Sequence, residues 1–106
     1  MNWKSELRNR LYQGHGTKCH YCRIDEKDFL RIWGEFYGGK RGSTLEIERT
    51  DNTRGYTMGN CVLACAVCDN AKSDKFSHDE FKRVGNVIEE IWRQKKAQLS
   101  EQQRHP

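Results

Sequence analysis

The sequence has no run of apolar residues that approaches the length of a membrane span, and only 35% of its 106 residues are hydrophobic. A membrane-crossing helix needs roughly 18 or more consecutive apolar residues, so we expect no membrane association. No apolar signal segment or other targeting sequence is visible at the start of the chain. We therefore expect a cytoplasmic protein, whose reducing surroundings keep thiols free.

The shortage of apolar residues also limits the hydrophobic core. We find no internal repeat and no interdomain linker, so residues 1–106 are predicted to form one domain. A small domain with so little core material needs an additional source of stability, such as a bound metal. The net charge of +4 is a mild basic excess that is compatible with a nucleic-acid partner without demonstrating one.

Two Cys-x-x-Cys pairs, Cys19/Cys22 and Cys65/Cys68, supply that source. The spacing lets two thiolates of one tight turn reach the same ion, and two such turns complete a tetrahedral zinc site. The alternative is a pair of disulfides, but five cysteines leave one unpaired and no signal segment is seen. We interpret the fifth, Cys61, as a buried structural cysteine. Zinc would then stabilise the fold by on the order of 10 kcal/mol, so its removal should unfold the protein.

The pattern of apolar and turn residues predicts an α+β fold in which flanking helices surround a β-hairpin and a short helix. Ser77 and Glu80 form a capping-box pattern before the last helix, and residues 100–106 are expected to be a frayed polar tail. The predicted elements are helices at about 2–13, 25–37, 66–74 and 78–99 and strands at 45–49 and 61–64. The helix faces predicted to be core are Phe29, Leu30, Ile32, Trp33, Phe36 and Tyr37, followed by Phe81, Val84, Val87, Ile88, Ile91 and Trp92.

Residues 19–76 resemble the HNH endonucleases of the ββα-metal type, in the subgroup with a four-cysteine zinc site. Members typically show Cys-x-x-Cys, an acidic residue and His on the first strand, Asn opening the second strand, then Cys-x-x-Cys followed by His or Asn and a Lys three residues later. The matching positions are Cys19/Cys22, Glu48 and Arg49, Asn60, Cys65/Cys68, Asp69 and Lys72. The phrase IERTDNTRGYTMGNC is similar to the DRID-type variant, in which Arg stands in place of the usual base His.

The resemblance implies a zinc-stapled ββα-metal core and a second metal site. Glu48 and Asp69 would hold a catalytic Mg²⁺ or Mn²⁺, and Glu46 is a further candidate ligand. Asn60 would brace the catalytic strand and its loop, although the alternative is a loop residue with an unusual backbone angle. Arg49 stays protonated and suits a phosphate contact better than the role of base.

The general base remains open at this stage. Asp51 is the first candidate because it is acidic and close in sequence, and a turn residue is its alternative role. His20, inside the first cysteine pair, is the second candidate and is otherwise a surface residue near the zinc. Metal-activated water or a substrate phosphate is a third possibility.

A ring of cations is predicted to hold the DNA backbone, and each of them has plain surface charge as its alternative. Its members are Lys40, Arg41, Arg54, Lys72 and Lys75. The expected activity is metal-dependent hydrolysis of DNA phosphodiester bonds, with a monomer nicking one strand and a homodimer needed to cut both. One alternative is a non-catalytic, zinc-stabilised module that binds nucleic acid. Another is a protein-interaction domain that uses exposed aromatic residues of the second helix.

Overall fold

The computed structural model describes residues 2–37 and 44–104, and its elements confirm the α+β prediction. They are α1 (Trp3–His15), α2 (Glu26–Tyr37), β1 (Glu46–Arg49), β2 (Cys61–Ala64), α3 (Ala66–Lys72) and α4 (His78–Arg104). Helix α4 continues past the predicted end at residue 99, because Gln, Glu and Arg favour a helix and no glycine or proline lies between residue 99 and Pro106. Lys40 and Arg41 lie outside the described residues.

The two strands form an antiparallel hairpin in which Glu48 is paired with Val62 and Arg49 with Cys61. All four residues of β2 are buried, which matches its apolar sequence. In β1, however, Glu48 is buried and Ile47 is only partly buried, so the simple expectation of apolar residues inside and charged residues outside is wrong there. The reversal places a carboxylate beneath the surface of the sheet.

Helix α1 packs against the hairpin through two buried leucines, Leu7 and Leu11. The side chain of Asn2 caps its start by accepting a hydrogen bond from the Ser5 backbone N–H at 2.8 Å. At the other end, the Tyr12 hydroxyl accepts a hydrogen bond from the Leu45 N–H at 2.9 Å. These contacts fix the first helix beside the entry to β1.

Helices α2 and α4 pack together on one side of the domain, and each contributes part of its predicted apolar face. Phe29, Ile32, Phe81 and Trp92 are buried as expected. The predicted capping box is present, since the Ser77 N–H donates to Glu80 Oε1 at 2.8 Å and the Glu80 N–H donates to Ser77 Oγ at 3.1 Å. Three predicted core residues are instead exposed, because only one stripe of each helix contacts the domain: Leu30, Val87 and Ile91.

Helix α4 crosses the first cysteine turn at Gly85 with almost no space between them. A Cβ atom added at Gly85 would lie 2.4 Å from the backbone oxygen of Tyr21. Glycine is therefore required here for close approach. Within the described part of the chain, no helix combines the length and the apolar character that membrane crossing requires.

Candidate metal centre and active-site cleft

The four cysteines of the two pairs form one buried cluster, as the sequence predicts. Their sulfur atoms all lie within 4.8 Å of one another, and Cys22 Sγ is 3.7 Å from Cys65 Sγ. Tetrahedral zinc with Zn–S bonds of about 2.3 Å separates its sulfurs by roughly 3.8 Å, whereas a disulfide needs about 2.05 Å. The thiols are free, and their arrangement fits a structural zinc ion rather than the two disulfides that were the alternative.

Backbone hydrogen bonds shape the first cysteine turn and attach it to its neighbours. The Cys19 N–H donates to the Ile24 oxygen at 2.9 Å, and the His20 N–H donates to the Leu63 oxygen of β2 at 2.8 Å. The indole N–H of Trp92 donates to the Cys22 oxygen at 2.8 Å, which ties the turn to α4. The first cysteine turn is therefore attached by hydrogen bonds to both β2 and α4.

The second cysteine pair fixes the start of α3. Cys65 is the residue before the helix, and its oxygen accepts a hydrogen bond from the Asp69 N–H at 2.9 Å. Because Cys68 is held in the cluster, the next residue, Asp69, is directed towards β1. A metal bound by the cysteines would thus position the helix that carries a candidate catalytic carboxylate.

Glu48 of β1 and Asp69 of α3 meet in a polar cleft with a volume of about 400 Å³. Glu48 is 7% exposed and forms part of its floor. The residues that line the cleft are Lys4, Glu46, Ile47, Glu48, Arg49, Asn52, Tyr56, Asp69, Asn70, Ser73 and Asp74. All three acidic residues that the resemblance suggested as ligands of a divalent ion line this cleft: Glu46, Glu48 and Asp69.

Lys72 lies beneath this cleft and pairs with its buried carboxylate. Its side chain has no exposed surface, and Lys72 Nζ is 3.1 Å from Glu48 Oε1. The prediction that Lys72 belongs to a surface ring of DNA-binding cations is therefore wrong. Helix α3 is short and packs on β1, so the residue one turn after Cys68 faces the interior rather than the solvent.

The carboxylates of Glu48 and Asp69 share a site that disfavours two negative charges. Burial, and then the hydrogen bond with Asp69, raise the pKa of Glu48 to about 8, although the neighbouring Lys72 opposes this shift. A hard divalent cation favours oxygen ligands and would replace the proton between two such groups. The chemistry of these donors therefore fits Mg²⁺ or Mn²⁺.

Arg49 places its guanidinium at the rim of the cleft. Its Nη1 donates to the Arg54 backbone oxygen at 3.1 Å, and its Cζ lies 4.8 Å from the centre of the Tyr56 ring. These two contacts hold the planar guanidinium in place, and neither of them is with a carboxylate. The side chain of Arg54 is exposed in the adjoining loop and is not part of the cleft wall.

Asn60 holds the loop that follows β1. The side chain is buried, and its Oδ1 accepts hydrogen bonds from Thr50 Oγ1 at 2.8 Å and from the Asp51 N–H at 3.0 Å. Its Nδ2 donates to the backbone oxygens of Asp51 at 3.1 Å and Gly55 at 2.9 Å. The amide is thus used fully as donor and acceptor, which fixes the course of residues 50–55.

The candidate base Asp51 lies outside the cleft of Glu48 and Asp69. It lines a neighbouring depression of about 730 Å³, together with Lys75. Asp51 Oδ1 accepts hydrogen bonds from Thr53 Oγ1 at 2.6 Å and from the Thr53 N–H at 2.9 Å, which is the pattern of an Asx turn. These hydrogen bonds lower the pKa of Asp51 and weaken it as a base.

The other candidate base, His20, faces a second histidine. His20 Nε2 is 2.9 Å from Nε2 of His78, the first residue of α4, and the two rings stack with centres 5.1 Å apart. Burial, and then the neighbouring His78, lowers the pKa of His20. His20 does not line the carboxylate cleft, so the structure does not bring it to the paired acids.

A search of solved structures places this geometry among known folds. The chain is similar to the rare-cutting HNH restriction endonuclease PacI, with a TM-score of 0.66 and 22% identity over 91% of this chain and 83% of that chain. The chain has an HNH-type fold. No family model and no curated protein sequence matches it.

Several cleft residues of this HNH-type fold were missed by the sequence analysis. Lys4 comes from α1 and Tyr56 from the loop between the strands, and no motif links either of them to the acidic residues. Ser73 lies four residues after Asp69, so helical spacing could have suggested it. Ile47, Asn52, Asn70 and Asp74 also line the cleft without having been predicted.

Proposed function

We propose that this protein is an endonuclease that hydrolyses DNA phosphodiester bonds with the help of Mg²⁺ or Mn²⁺. The observation that carries the proposal is the pair of carboxylates, Glu48 and Asp69, in a polar cleft whose rim carries the Arg49 cation. The shared fold supports it, because PacI is a restriction endonuclease. The structural zinc site is a separate feature that stabilises this arrangement.

Each residue of the cleft has a distinct role in this proposal. A divalent cation held by Glu48 and Asp69 would neutralise charge on the scissile phosphate and stabilise the leaving oxygen. Lys72 keeps the Glu48 carboxylate in one orientation from below. Arg49 contacts a phosphate oxygen through its planar guanidinium, which Tyr56 and the Arg54 carbonyl hold in place.

The proton of the attacking water needs an acceptor near the cleft. Asp51 and His20 lie outside the cleft, and a guanidinium group such as that of Arg49 is a poor proton acceptor. The other carboxylates that line the cleft are Glu46 and Asp74. We assign these two as the candidates for the acceptor, to be separated by substitution.

Because the described residues bring Glu48 and Asp69 together in a single carboxylate cleft, we expect that a monomer nicks one strand. Cleavage of both strands would require a homodimer or a second binding event. Arg54, in the loop that contains Asp51, and Lys75, which lines the same depression as Asp51, are exposed and are our candidates for contacts to the DNA backbone.

The test is the conversion of supercoiled plasmid to open-circular and linear DNA, with no added ion, with Mg²⁺ or with Mn²⁺. We expect open circles only with an added ion. Glu48→Gln and Asp69→Asn, which keep side-chain size, should each lower the rate by at least 100-fold. Glu90→Gln, at an exposed position of α4, is the matched control and should cleave as the wild type does.

Zinc content and the circular dichroism spectrum must be unchanged in every variant that is compared. Equal cleavage by Glu48→Gln, Asp69→Asn and the wild type would contradict the site assignment. The same assay with Glu46→Gln and Asp74→Asn separates the two candidate proton acceptors, because the loss of the true acceptor steepens the dependence of rate on pH.

A second candidate function is a nucleic-acid-binding module without catalysis. The positions of Asp51 and His20 favour it, because neither of these two residues predicted as the base lines the cleft. This function predicts salt-sensitive DNA binding and no plasmid cleavage with any divalent ion.

A further inference from the structure

Two exposed aromatic side chains meet at the edge of the carboxylate cleft. The rings of Trp3 and Tyr56 have centres 5.5 Å apart and planes inclined by 50°. Tyr56 lines the cleft, and Arg49 lies over its ring at 4.8 Å. Trp3 comes from the first turn of α1, and its neighbour Lys4 also lines the cleft.

The fold does not require these aromatic rings for its core. Trp3 is 58% exposed and Tyr56 is 46% exposed, even though they contact each other. Helix α1 is attached by the buried Leu7 and Leu11, and the loop that contains Tyr56 is held by Asn60 through its hydrogen bond to Gly55. Both aromatic side chains therefore remain partly exposed to the solvent beside a charged cleft.

We propose that Trp3 and Tyr56 form a stacking platform for a DNA base that is separated from its neighbours in the strand. The proposal rests on the proposed function, because it defines which DNA the cleft receives. One nucleotide then bridges the two parts of the surface, with its phosphate near Arg49 and Lys4 and its base on the aromatic rings.

The chemistry of stacking selects the form of the DNA. Each base has a flat π-face that stacks on aromatic side chains, but in a paired duplex both faces are covered by neighbouring bases. A single strand or an unpaired bubble exposes those faces, and the nearby cations contact the phosphates in either case. The preferred substrate is therefore DNA with unstacked bases rather than a regular duplex.

The test compares the binding of three fluorescein-labelled DNAs without added divalent ion, measured by anisotropy. The probes are a single strand, a matched duplex and the same duplex with a central bubble of three mismatches. We expect the wild type to bind the bubble and the single strand more tightly than the duplex. Trp3→Leu and Tyr56→Leu should each weaken those two by about tenfold and change duplex binding by less than twofold.

Aromatic replacements separate stacking from a structural role. Trp3→Phe and Tyr56→Phe keep a ring and should retain most of the preference for the bubble. Ile91→Ala, at an exposed apolar position of α4, is the control and should behave as the wild type does. Wild-type preference in the leucine variants, equal weakening for all three DNAs, or failure of the phenylalanine variants to restore binding would each overturn the platform.

Plasmid cleavage by the same proteins distinguishes failure of the platform from failure of the proposed function. If the wild type cleaves with Mg²⁺ or Mn²⁺ while the leucine variants keep the bubble preference, only the platform is refuted. If no protein cleaves but the leucine variants lose that preference, the platform stands and the nuclease proposal fails. Absence of binding to all three DNAs would overturn both.

Discussion

The ammonium group of Lys72 lies 3.1 Å from Glu48 Oε1, and the Lys72 side chain has no exposed surface. A lysine whose sequence position suggests a DNA contact is therefore the partner of a buried carboxylate at the floor of the cleft. The pair links α3 to β1 at the point where the two candidate metal-binding carboxylates meet. Its strength should determine both the stability of the domain and the orientation of Glu48.

Removing only the lysine of this pair should destabilise the protein more than removing the charges of both residues. At about pH 9, above the raised pKa of Glu48, Lys72→Met leaves an ionised carboxylate buried beside Asp69 without its cation, and we expect a loss of about 3–5 kcal/mol in the free energy of unfolding. Adding Glu48→Gln to that variant should recover part of the loss. Urea unfolding of the wild type, both single variants and the double variant gives the coupling energy, and additive effects would contradict the pairing.

The raised pKa of Glu48 predicts a pH dependence of stability when no divalent ion is bound. The Glu48 carboxyl is ionised above about pH 4.5 in the unfolded chain but only above about pH 8 in the folded protein. The protonated carboxyl is therefore compatible with its buried site below pH 4.5, and the folded state loses stability relative to the unfolded chain as the pH rises from 4.5 to 8. The loss is at most about 5 kcal/mol.

The measurement is the difference in unfolding free energy between the wild type and Glu48→Gln across that pH range. Using the difference cancels the contribution of His20, whose lowered pKa acts in the opposite direction within the same range. The wild type should lose stability relative to the variant as pH increases. A constant difference from pH 4.5 to 8 would refute the assignment of the raised pKa to Glu48.

Two helical glycines provide a matched test of how α4 approaches the first cysteine turn. Gly85→Ala forces a Cβ against the Tyr21 backbone and should destabilise the protein by roughly 1–3 kcal/mol. At Gly34 in α2 the nearest atom to an added Cβ is 3.8 Å away, so Gly34→Ala should stabilise by about 0.5–1 kcal/mol. The two urea midpoints should move in opposite directions, and equal shifts would show that helix propensity alone determines them.

Zinc should be a condition for folding. Cys65→Ser removes one ligand, and we expect loss of bound zinc and unfolding, since metal binding supplies on the order of 10 kcal/mol in small zinc domains. Cys61→Ala is the control: Cys61 is buried but lies outside the cluster, so one zinc per chain should remain, with a cost of roughly 1–2 kcal/mol.

Elemental analysis measures the loss of zinc, and the tryptophan emission spectrum measures unfolding independently of it. Trp92 donates its indole N–H to the Cys22 oxygen, so opening of the cluster should expose it and shift its emission to longer wavelength. A folded Cys65→Ser protein that lacks zinc would show that the hydrophobic core is sufficient.

Local patterns in the sequence were enough to predict most of the secondary structure. The capping box at Ser77 and Glu80 and the apolar strand at 61–64 depend on neighbouring residues, and both are present as expected. The exposure of Val87 and Ile91 was not predictable in the same way. Helical periodicity identifies an apolar face but does not show how much of it another element covers.

Motif spacing and local propensity act over a few residues, so they were enough to predict the four clustered cysteines, the order of the elements, and the acidic residues Glu48 of β1 and Asp69 of α3. Which charged groups are buried together, and which side chains share the cleft, depends on the packing of distant segments and became clear from the fold. Lys72 beneath Glu48, Tyr56 and Trp3 at its rim, and His78 against His20 are contacts between distant parts of the chain. Such contacts depend on how the two cysteine turns orient α3 and α4, and no short-range pattern encodes that orientation.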